Sequence, residues 1–389
     1  MRIGVDATCW ANQRGYGRFA REIVTAMAAL APHDEFYCFL DSASRDRFAL
    51  DSPNVRAVLV SGLTQVPARA ASAAGHRTLA DMLRMTRAVK KERLDAFFSP
   101  SVYTYYPLPI GLPAVVTIHD AIPERFPRLV FPSRKARFLW SLKMRLALFQ
   151  ARRILTVSEY AARDLARVLR IPGGRISVAL EAPSADYERR AEKSSETNEL
   201  PTGSRWFVYV GGFSPHKNVI AAVNAHAALA RELGDAAPYL LLVGTRDKDD
   251  FYTDVPAIER AIEREGTSNR VRWTGFVGDE ELSRIHSGSI ALILPSESEG
   301  FGLPAVEAAA CGSPVIATTE SPLPEILEGG GIFIPPGDEA ALLSAMRRLA
   351  TDTAFHESCS EIARERAGQL SWASGATAAL AAIREAAAA

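Results

Sequence analysis

Short apolar runs alternate with stretches of helical periodicity along the whole chain. The runs are rich in β-branched and aromatic residues, which favours strands. Several are unbroken, such as Tyr-Leu-Leu-Leu-Val at 239–243 and Ile-Ala-Leu-Ile-Leu at 290–294. Unbroken runs are typical of strands that are buried on both faces of a parallel sheet between layers of helices. The pattern therefore predicts an α/β protein with two doubly wound domains.

The two halves of the chain carry separate sets of predicted strands. In the first half the strands are expected at 3–6, 36–40, 55–60, 96–99, 114–119, 154–158 and 176–180. In the second half they are expected at 206–211, 239–244, 271–276, 290–295, 315–318 and 332–334.

A polar stretch flanked by prolines separates the two sets of strands and is the best linker candidate. We therefore predict a first domain at 1–185, a linker at 186–204 and a second domain at 205–370. A final helix at 371–389 is expected to begin after an N-cap at Ser371.

The length and composition agree with a soluble globular protein. The chain has 389 residues, of which 48% are hydrophobic and 23% charged. This length suits two domains of about 150–200 residues each. No apolar run approaches the roughly 20 residues that span a bilayer, and the first residues enter a strand pattern without a signal peptide. We expect a cytoplasmic protein.

The cysteines agree with that location. The sequence has four, which lie far apart and without metal-ligand spacing: Cys9, Cys38, Cys311 and Cys359. Each has apolar or small neighbours, which indicates free thiols in a reducing compartment.

The net charge of zero hides an asymmetry between the two halves. Residues 1–181 carry 27 Lys and Arg against 15 Asp and Glu, whereas residues 182–389 carry 18 against 30. A basic domain indicates an anionic ligand or surface. Mutual attraction of the two halves is an equally good interpretation of the same charges.

One segment of the second half combines the features of a ligand site. A buried strand is expected to end at Pro295, and the loop Ser-Glu-Ser-Glu-Gly-Phe-Gly follows it at 296–302. Pro304 suits the start of a helix, and Gly312 suits its end in a left-handed conformation. The N–H groups of a helix start at the carboxyl edge of a parallel sheet favour an anion.

Two glutamates lie in this segment. Glu299 is in the loop and Glu307 is expected in the first turn of the helix, so both face one crevice. The loop glycines leave room for a ligand to approach the backbone N–H groups of Phe301, Gly302 and Leu303. Carboxylates beside backbone donors suit a polyhydroxylated ligand, because each carboxylate accepts paired hydrogen bonds from sugar hydroxyls. A role of both glutamates in complementing the helix dipole is the alternative.

The segment P-S-E-S-E-G-F-G-L-P-A-V-E at 295–307 resembles the E-x7-E signature of retaining glycosyltransferases of the GT4 type. Other stretches resemble the family in the expected order, so that the resemblance covers nearly the whole chain. They are R-G-Y-G-R-F-A-R-E-I at 14–23, T-I-H-D-A-I-P at 117–123, V-S-E-Y-A-A-R-D-L at 157–165, V-G-G-F-S-P-H-K-N at 210–218 and T-G-F-V-G-D-E-E-L at 274–282.

The resemblance implies a GT-B fold, in which two Rossmann-like domains face a cleft. The N-terminal domain would be on the acceptor side and the C-terminal domain would bind the nucleotide sugar. The last helix would return to the N-terminal domain.

The resemblance also implies a role for each matching residue of the second domain. Lys217 would stabilise the donor diphosphate as leaving group, with Gly212 and His216 in the same phosphate-binding loop. Glu307 would bind the ribose hydroxyls, and Glu299 the transferred sugar or its developing positive charge. Outside this context, a lysine such as Lys217 is usually a solvated surface residue.

Further donor contacts are implied in both domains. Phe276 and Val277 would flank the base, although apolar loop residues also suit a core. Gly15 and Gly17 would let the first loop approach the phosphates or the sugar, with an ordinary tight turn as the alternative. His119 would form a hydrogen bond with the donor sugar, with a buried structural histidine as the alternative. Together with Lys217 and Glu299 of the second domain, His119 is a predicted catalytic residue.

One position departs from the family pattern. Many relatives have Arg next to the loop lysine, where this chain has His216. Arginine offers a permanent bidentate clamp, which histidine gives up unless it is protonated. Either donor affinity depends on pH, or Arg14 or Arg18 supplies the charge. With Asp120, these two arginines are the candidates for the acceptor side of the site.

The mechanism implied by the family is retaining, and no cofactor or metal is implied. The leaving phosphate deprotonates the acceptor hydroxyl on the same face, through an oxocarbenium-like state. Glu299 and Glu307 are then ligands, unlike the two carboxyls of a retaining glycosidase, which stand about 5–5.5 Å apart. Asp247-Lys-Asp249 resembles the D-x-D of metal-dependent transferases, but we interpret it as a solvated turn.

The first half contains two basic stretches. Residues 134–153 combine seven Lys and Arg with large apolar residues and no acid, and a second basic run lies at 84–93. A basic amphipathic helix suits an anionic membrane or a pyrophosphate-linked lipid, and packing into the domain core is the alternative. The stretches favour a lipid-linked, anionic acceptor, with peripheral contact at the inner face of the cytoplasmic membrane.

The favoured function is transfer of a hexose from GDP-mannose during biosynthesis of a surface polysaccharide, such as lipopolysaccharide. A transferase that uses UDP or another nucleotide sugar with a soluble acceptor is the first alternative. Glu299, Glu307 and the H-D-x-x-P segment disfavour a nucleotide-sugar epimerase, and Lys217 with Glu299 disfavours a non-catalytic relative. No dinucleotide fingerprint follows a strand, and no nucleic-acid-binding motif is found.

Overall fold

The computed structural model describes residues 1–63, 77–187, 200–246 and 252–388. The chain divides into two compact units, Met1–Glu181 with Ser371–Ala389, and Ala182–Leu370. Most of the predicted linker, 188–199, lies outside the described residues.

The first unit is built on seven parallel strands. They are β1 (Arg2–Asp6), β2 (Glu35–Leu40), β3 (Val55–Leu59), β4 (Ala96–Ser99), β5 (Ala114–Thr117), β6 (Ala151–Thr156) and β7 (Ile176–Val178). Their order in the sheet is β3-β2-β1-β4-β5-β6-β7. Phe97 and Phe98 point to opposite faces of β4, and both are fully buried, because helices cover both faces.

Helices connect these strands. They are α1 (Gly15–Leu30), α2 (Ser42–Asp46), α3 (Leu79–Lys91), α4 (Ile122–Arg125), α5 (Pro127–Val130), α6 (Arg134–Gln150) and α7 (Glu159–Val168). Single 3-10 turns occur at Val102–Thr104 and Gly173–Arg175.

The second unit repeats the design with six parallel strands. They are β8 (Trp206–Val210), β9 (Tyr239–Val243), β10 (Val271–Gly275), β11 (Ala291–Leu294), β12 (Val315–Thr318) and β13 (Gly331–Ile334), in the order β10-β9-β8-β11-β12-β13. The helices are α8 (Val219–Leu233), α9 (Val255–Glu265), α10 (Asp279–Gly288), α11 (Leu303–Ala310), α12 (Leu323–Ile326), α13 (Glu339–Thr351) and α14 (Thr353–Ala367). Further 3-10 turns lie at Pro215–Lys217 and Gly234–Ala236.

The last helix, α15 (Trp372–Ala388), returns to the first unit, where it packs on α1 and on the sheet. Its start is the predicted one, since the Ser374 N–H donates to the Ser371 hydroxyl at 3.2 Å. At its other end, Arg152 of β6 donates to the Ala386 carbonyl at 2.9 Å. With two parallel α/β sheets and this returning helix, the predicted fold class is confirmed.

The basic stretch at 134–153 is not one helix, and this part of the prediction is wrong. Helix α6 ends at Gln150, and Arg152 and Arg153 belong to strand β6. The reason is the pairing with β5, in which Arg153 lies opposite Val115. Among the described residues, no helix is long and apolar enough to cross a membrane.

Each sheet has one topological switch point, where the strand order reverses. It lies between β1 and β4 in the first sheet and between β8 and β11 in the second. Because all strands are parallel, the loops that follow them lie at one edge of each sheet. Ligands of open α/β sheets bind at this edge.

Candidate active site

The carboxyl edge of the second sheet carries all the predicted donor residues of that unit. Gly212, His216 and Lys217 follow β8. Phe276 and Val277 follow β10. The remaining four, Phe301, Gly302, Leu303 and Glu307, follow β11 together with the catalytic candidate Glu299.

Lys217 and Glu299 are in direct contact, although 82 residues separate them in the sequence. The Lys217 ammonium donates to both Glu299 carboxylate oxygens, at 2.7 and 3.0 Å. This contact exists because β8 and β11 are neighbours at the switch point, so that their loops emerge side by side. The carboxylate is buried, and the lysine is partly exposed.

Backbone and hydroxyl contacts hold this pair in place. The Ser296 hydroxyl donates to the Glu299 Oε1 atom at 2.5 Å. The Glu297 N–H donates to the His216 carbonyl at 2.8 Å, which ties the two loops together. An ammonium group has three donors, so Lys217 can bind Glu299 and a phosphate oxygen at the same time. The arrangement fixes a cation at the edge of the sheet.

Helix α11 begins at this edge as predicted, with Gly302 as its N-cap and Pro304 in its first turn. Gly302 has a φ of +90°, which favours glycine. A Cβ atom there would also lie 2.8 Å from the Leu323 Cδ1 atom, so a side chain would force Leu323 to shift. Gly312 follows the end of the helix with a φ of +80°, in the predicted left-handed conformation.

The prediction that Glu307 lies in the first turn of α11 is wrong. The helix begins at Leu303, which makes Glu307 its fifth residue and places it in the second turn. Its side chain is buried. Glu307 therefore gains little from the helix dipole, whose influence fades after the first turn.

The other predicted donor residues of this unit differ in burial. Phe276 has 58% of its surface exposed, so the alternative that it belongs to the core is wrong. Val277 is half-buried. Phe301 and Leu303 are buried, and Gly212 accepts a hydrogen bond from the Tyr209 hydroxyl through its carbonyl at 2.5 Å.

In the first unit, the predicted residues lie at the start of α1 and after β5. Arg14 and Arg18 are half-buried at the start of α1. A Cβ atom at Gly17 would lie 2.1 Å from the Asn12 carbonyl oxygen, so the fold of the loop itself requires this glycine. At Gly15 the space is open, which leaves its predicted approach to a ligand possible.

His119 faces two protein acceptors. Its Nε2 atom lies 3.0 Å from the Pro100 carbonyl oxygen, and its Nδ1 atom lies 3.6 Å from the Glu181 Oε1 atom. Phe19 of α1 packs edge-on against the ring, with centroids 4.9 Å apart. Both His119 and Glu181 are largely buried. Sequence reasoning missed Glu181, because no local motif links it to His119.

Asp120, next to His119, has a contact within its own loop. Its Oδ1 atom accepts a hydrogen bond from the Ile122 N–H at 2.9 Å, at the start of α4. The predicted acceptor role of Asp120 stays a prediction beside this structural one.

The switch point of the first sheet holds a buried polar network that the sequence analysis missed. Asp6 accepts from the Thr8 hydroxyl at 2.6 Å and from the Thr104 hydroxyl at 2.8 Å. Arg77 donates to the Thr8 hydroxyl at 2.6 Å. Burial raises the pKa of Asp6 above its usual value. The network joins residues up to 98 positions apart, and only the closed sheet brings them together.

Asp247 and Asp249 lie outside the described residues. In the described ranges, no group of three or more His, Cys, Asp or Glu side chains is arranged to hold a metal ion. All four cysteines are free and buried, and burial raises the pKa of the Cys38 thiol to about 12.

Two family models match the chain in succession. Residues 14–179 match Glycosyltransferase Family 4, and residues 190–366 match Glycosyl transferases group 1. Among curated proteins, the chain is similar to O-antigen chain mannosyltransferase B of Escherichia coli, with 29% identity over 67% of each chain. It is also similar to O-antigen chain mannosyltransferase RfbU of Salmonella typhimurium, with 25% identity over 63% of each chain. It matches about a third of the length of the mannosyltransferase WbdA, since 32% of that protein is covered.

Solved structures share the fold over nearly the whole chain. Sucrose-phosphate synthase from Thermosynechococcus elongatus has a TM-score of 0.79 with 21% identity, and the match covers 99% of this chain and 98% of that one. WaaG, a glycosyltransferase involved in lipopolysaccharide biosynthesis, has a TM-score of 0.74 with 16% identity, covering 98% and 99%. With both family models in the expected order and this fold, the chain belongs to the glycosyltransferases of the GT4 type.

Proposed function

We propose that the protein is a retaining hexosyltransferase that moves mannose from GDP-mannose to a saccharide or lipid-pyrophosphate-linked saccharide. The observation that carries this proposal is the Lys217–Glu299 pair, held by Ser296 at the switch point of the second sheet. Relatives named as O-antigen mannosyltransferases support mannose as the sugar and a surface polysaccharide as the product. The proposed location is the inner face of the cytoplasmic membrane.

The donor would bind with its charged and polar parts matched to this edge. The diphosphate would lie against Lys217, whose charge offsets the negative charge that develops on the leaving group. Glu307 would accept hydrogen bonds from the ribose hydroxyls. Phe276, as an exposed aromatic side chain, would stack on the base.

Glu299 would act on the sugar and on Lys217 together. Its carboxylate fixes the ammonium and stands beside the anomeric carbon, where positive charge develops as the bond to the diphosphate breaks. The acceptor oxygen then bonds to this carbon on the face that the diphosphate leaves. The acceptor oxygen attacks directly, so no protein nucleophile is required, and its proton passes to a leaving phosphate oxygen. The Lys217 charge stabilises the leaving diphosphate in place of a metal ion.

Transfer from a panel of sugars tests the proposal. GDP-mannose, UDP-glucose, UDP-N-acetylglucosamine and ADP-glucose are each incubated with a mannose-terminated, lipid-linked acceptor, with and without EDTA. We expect transfer from GDP-mannose, an α-linked product by NMR, and equal rates in EDTA. A β-linked product would contradict retention, and loss of activity in EDTA would contradict metal independence. Faster transfer from a UDP sugar would show that GDP-mannose is not the preferred donor, but it would not contradict the assignment of the donor site.

A further inference from the structure

Helix α6 has two apolar faces. One is buried in the core of the first unit through Ala136, Trp140, Met144 and Ala147. The other is exposed, and its residues recur every three or four positions: Phe138, Leu142, Leu146 and Phe149, which are 67%, 46%, 41% and 87% exposed. At 100° per residue, the two sets lie on roughly opposite sides of the helix. One apolar face of the helix therefore packs in the core, as one of the two sequence interpretations predicted, and a second apolar face remains exposed.

Helix α3 adds to the exposed apolar surface. Its Leu79 and Leu83 are one turn apart and exposed, whereas Met85 and Val89 are buried beneath it. Large exposed apolar patches are rare on soluble proteins and mark interaction sites. The exposed leucines and phenylalanines of α3 and α6 therefore indicate an interaction surface.

The two helices cover the same face of the first sheet. Ala114 and Val116 are two residues apart on β5, so their side chains point to the same face. Ala114 packs in one cluster with Met85 of α3, and Val116 packs in another with Trp140 of α6. The outward sides of α3 and α6 therefore look in the same direction.

Basic side chains surround the exposed apolar residues. Helix α6 contains no acid, and its exposed cations are Arg134, Lys135, Arg137 and Arg145. Helix α3 exposes Arg84, Arg87, Lys90 and Lys91, and its one acid, Asp81, is buried. A second copy of the chain would bring like charges together on this surface, whereas an anionic partner complements it.

We propose that the exposed sides of α3 and α6 form a docking surface for an anionic lipid bilayer. The apolar side chains enter the boundary between headgroups and acyl chains, and the arginines and lysines contact lipid phosphates. The surface gives the proposed lipid-linked acceptor a place of delivery and rests on the proposed function only in that respect. Its test uses no nucleotide sugar, so its failure and the failure of glycosyl transfer are distinguishable.

Vesicle sedimentation tests the docking surface. The full chain is mixed with vesicles of phosphatidylcholine alone, or of phosphatidylcholine and phosphatidylglycerol in equal parts. We expect binding to the anionic vesicles only, weakened at least tenfold between about 50 mM and about 300 mM NaCl because salt screens exposed charges. Failure of the unmodified chain to bind, or equal binding to both vesicles, would overturn the proposal.

Two variants locate the contact on the molecule. Phe138→Ser combined with Phe149→Ser should weaken binding at least tenfold, because it removes the two most exposed apolar side chains. Leu30→Ser combined with Tyr252→Ser is the matched control, since these exposed residues lie elsewhere, and should bind like the unmodified chain. Both variants change exposed side chains, so their unfolding midpoints should match. Equal binding by the two variants would contradict the assignment, as would a dimer that the Phe138 and Phe149 changes dissociate.

Discussion

The two sheets of this protein have the same switch point but differ in what it contains. Between β1 and β4, Asp6 and its hydroxyl partners Thr8 and Thr104 are fully buried. Between β8 and β11, Lys217 and Glu299 form an ion pair in which the lysine side chain remains partly exposed. The same topology therefore gives a closed structural network in one unit and an accessible charged edge in the other.

Burial explains the difference in chemistry. A buried carboxylate is costly unless hydrogen bonds satisfy it, and Asp6 responds with a raised pKa and with threonine partners on both oxygens. The Lys217 side chain is partly exposed, and its ammonium is paired with the Glu299 carboxylate. A ligand can therefore approach the second switch point. At the first switch point, residues of the neighbouring loops supply the hydrogen bonds to Asp6.

The largest effect is expected at the accessible edge. Lys217→Ala should lower kcat/KM for sugar transfer by about a thousandfold, because it removes a preorganised positive charge. Lys217→Arg keeps a charge without the same geometry and should retain intermediate activity. Steady-state kinetics with both variants checks this, with the unfolding midpoint as a control for folding. A loss of less than about threefold in Lys217→Ala would contradict the role of the pair.

Substitution of Asp6 in the buried network should lower the stability of the protein and leave donor binding unchanged. Asp6→Ala removes the acceptor of two buried hydroxyls and should lower the free energy of unfolding by about 2–3 kcal/mol. Asp46→Ala, at an exposed position of α2, should change it little. Urea unfolding measures both, and Asp6→Asn serves if the alanine variant does not fold. An Asp6 variant with normal stability and weakened donor binding would contradict the structural role of this network.

Phe276 should have a moderate effect on donor affinity. Phe276→Ala is expected to weaken nucleotide-sugar binding about tenfold, in line with the 1–3 kcal/mol typical of base stacking. Its stability should stay normal because the side chain is exposed. Isothermal titration calorimetry compares it with Tyr252→Ala, an exposed aromatic of the same unit. Unchanged affinity in Phe276→Ala would remove this residue from the base site.

The smallest effect concerns a second buried carboxyl of the first unit. Glu124 accepts a hydrogen bond from the Trp140 indole at 2.6 Å, and burial raises its pKa to about 7. The folded state then holds a proton that the unfolded state releases, so this group's stabilisation is lost as pH rises through about 7. Glu124→Gln should gain about 1 kcal/mol relative to the unmodified chain between pH 6 and pH 8.

Urea unfolding at these two pH values tests Glu124, with Glu159→Gln as a control at an exposed position. A difference between Glu124→Gln and the unmodified chain that stays constant with pH would show that this carboxyl does not titrate in the folded state.

The fold could be predicted from the sequence because its signals are local. Each predicted strand is found within a few residues of its place, since an unbroken apolar run such as 239–243 marks a strand buried on both faces. Ser371 and Gly312 mark helix ends through contacts within a few residues. Even the error at 134–153 is one of boundary, caused by strand pairing that the helical pattern does not record.

The candidate site was predictable only in part, because some of its contacts join distant residues. The motif at 295–307 identified Glu299, and the resemblance identified Lys217, yet their contact depends on which strands are neighbours. Glu181 and Thr104 carry no motif, and their partners His119 and Asp6 lie 62 and 98 positions away. Ser296 lies only three residues before Glu299, so its contact with that carboxylate is local and was predictable from the sequence.

The most direct test of the donor site is the shift in thermal unfolding caused by GDP-mannose and by UDP, ADP and TDP sugars. A ligand at 100 times its Kd adds about 2.7 kcal/mol to the stability of the protein. We expect GDP-mannose to raise the unfolding midpoint of the unmodified chain and of Asp6→Asn, but not of Lys217→Ala. No shift with any nucleotide sugar, or an equal shift in Lys217→Ala, would contradict a donor site built on Lys217 and Glu299.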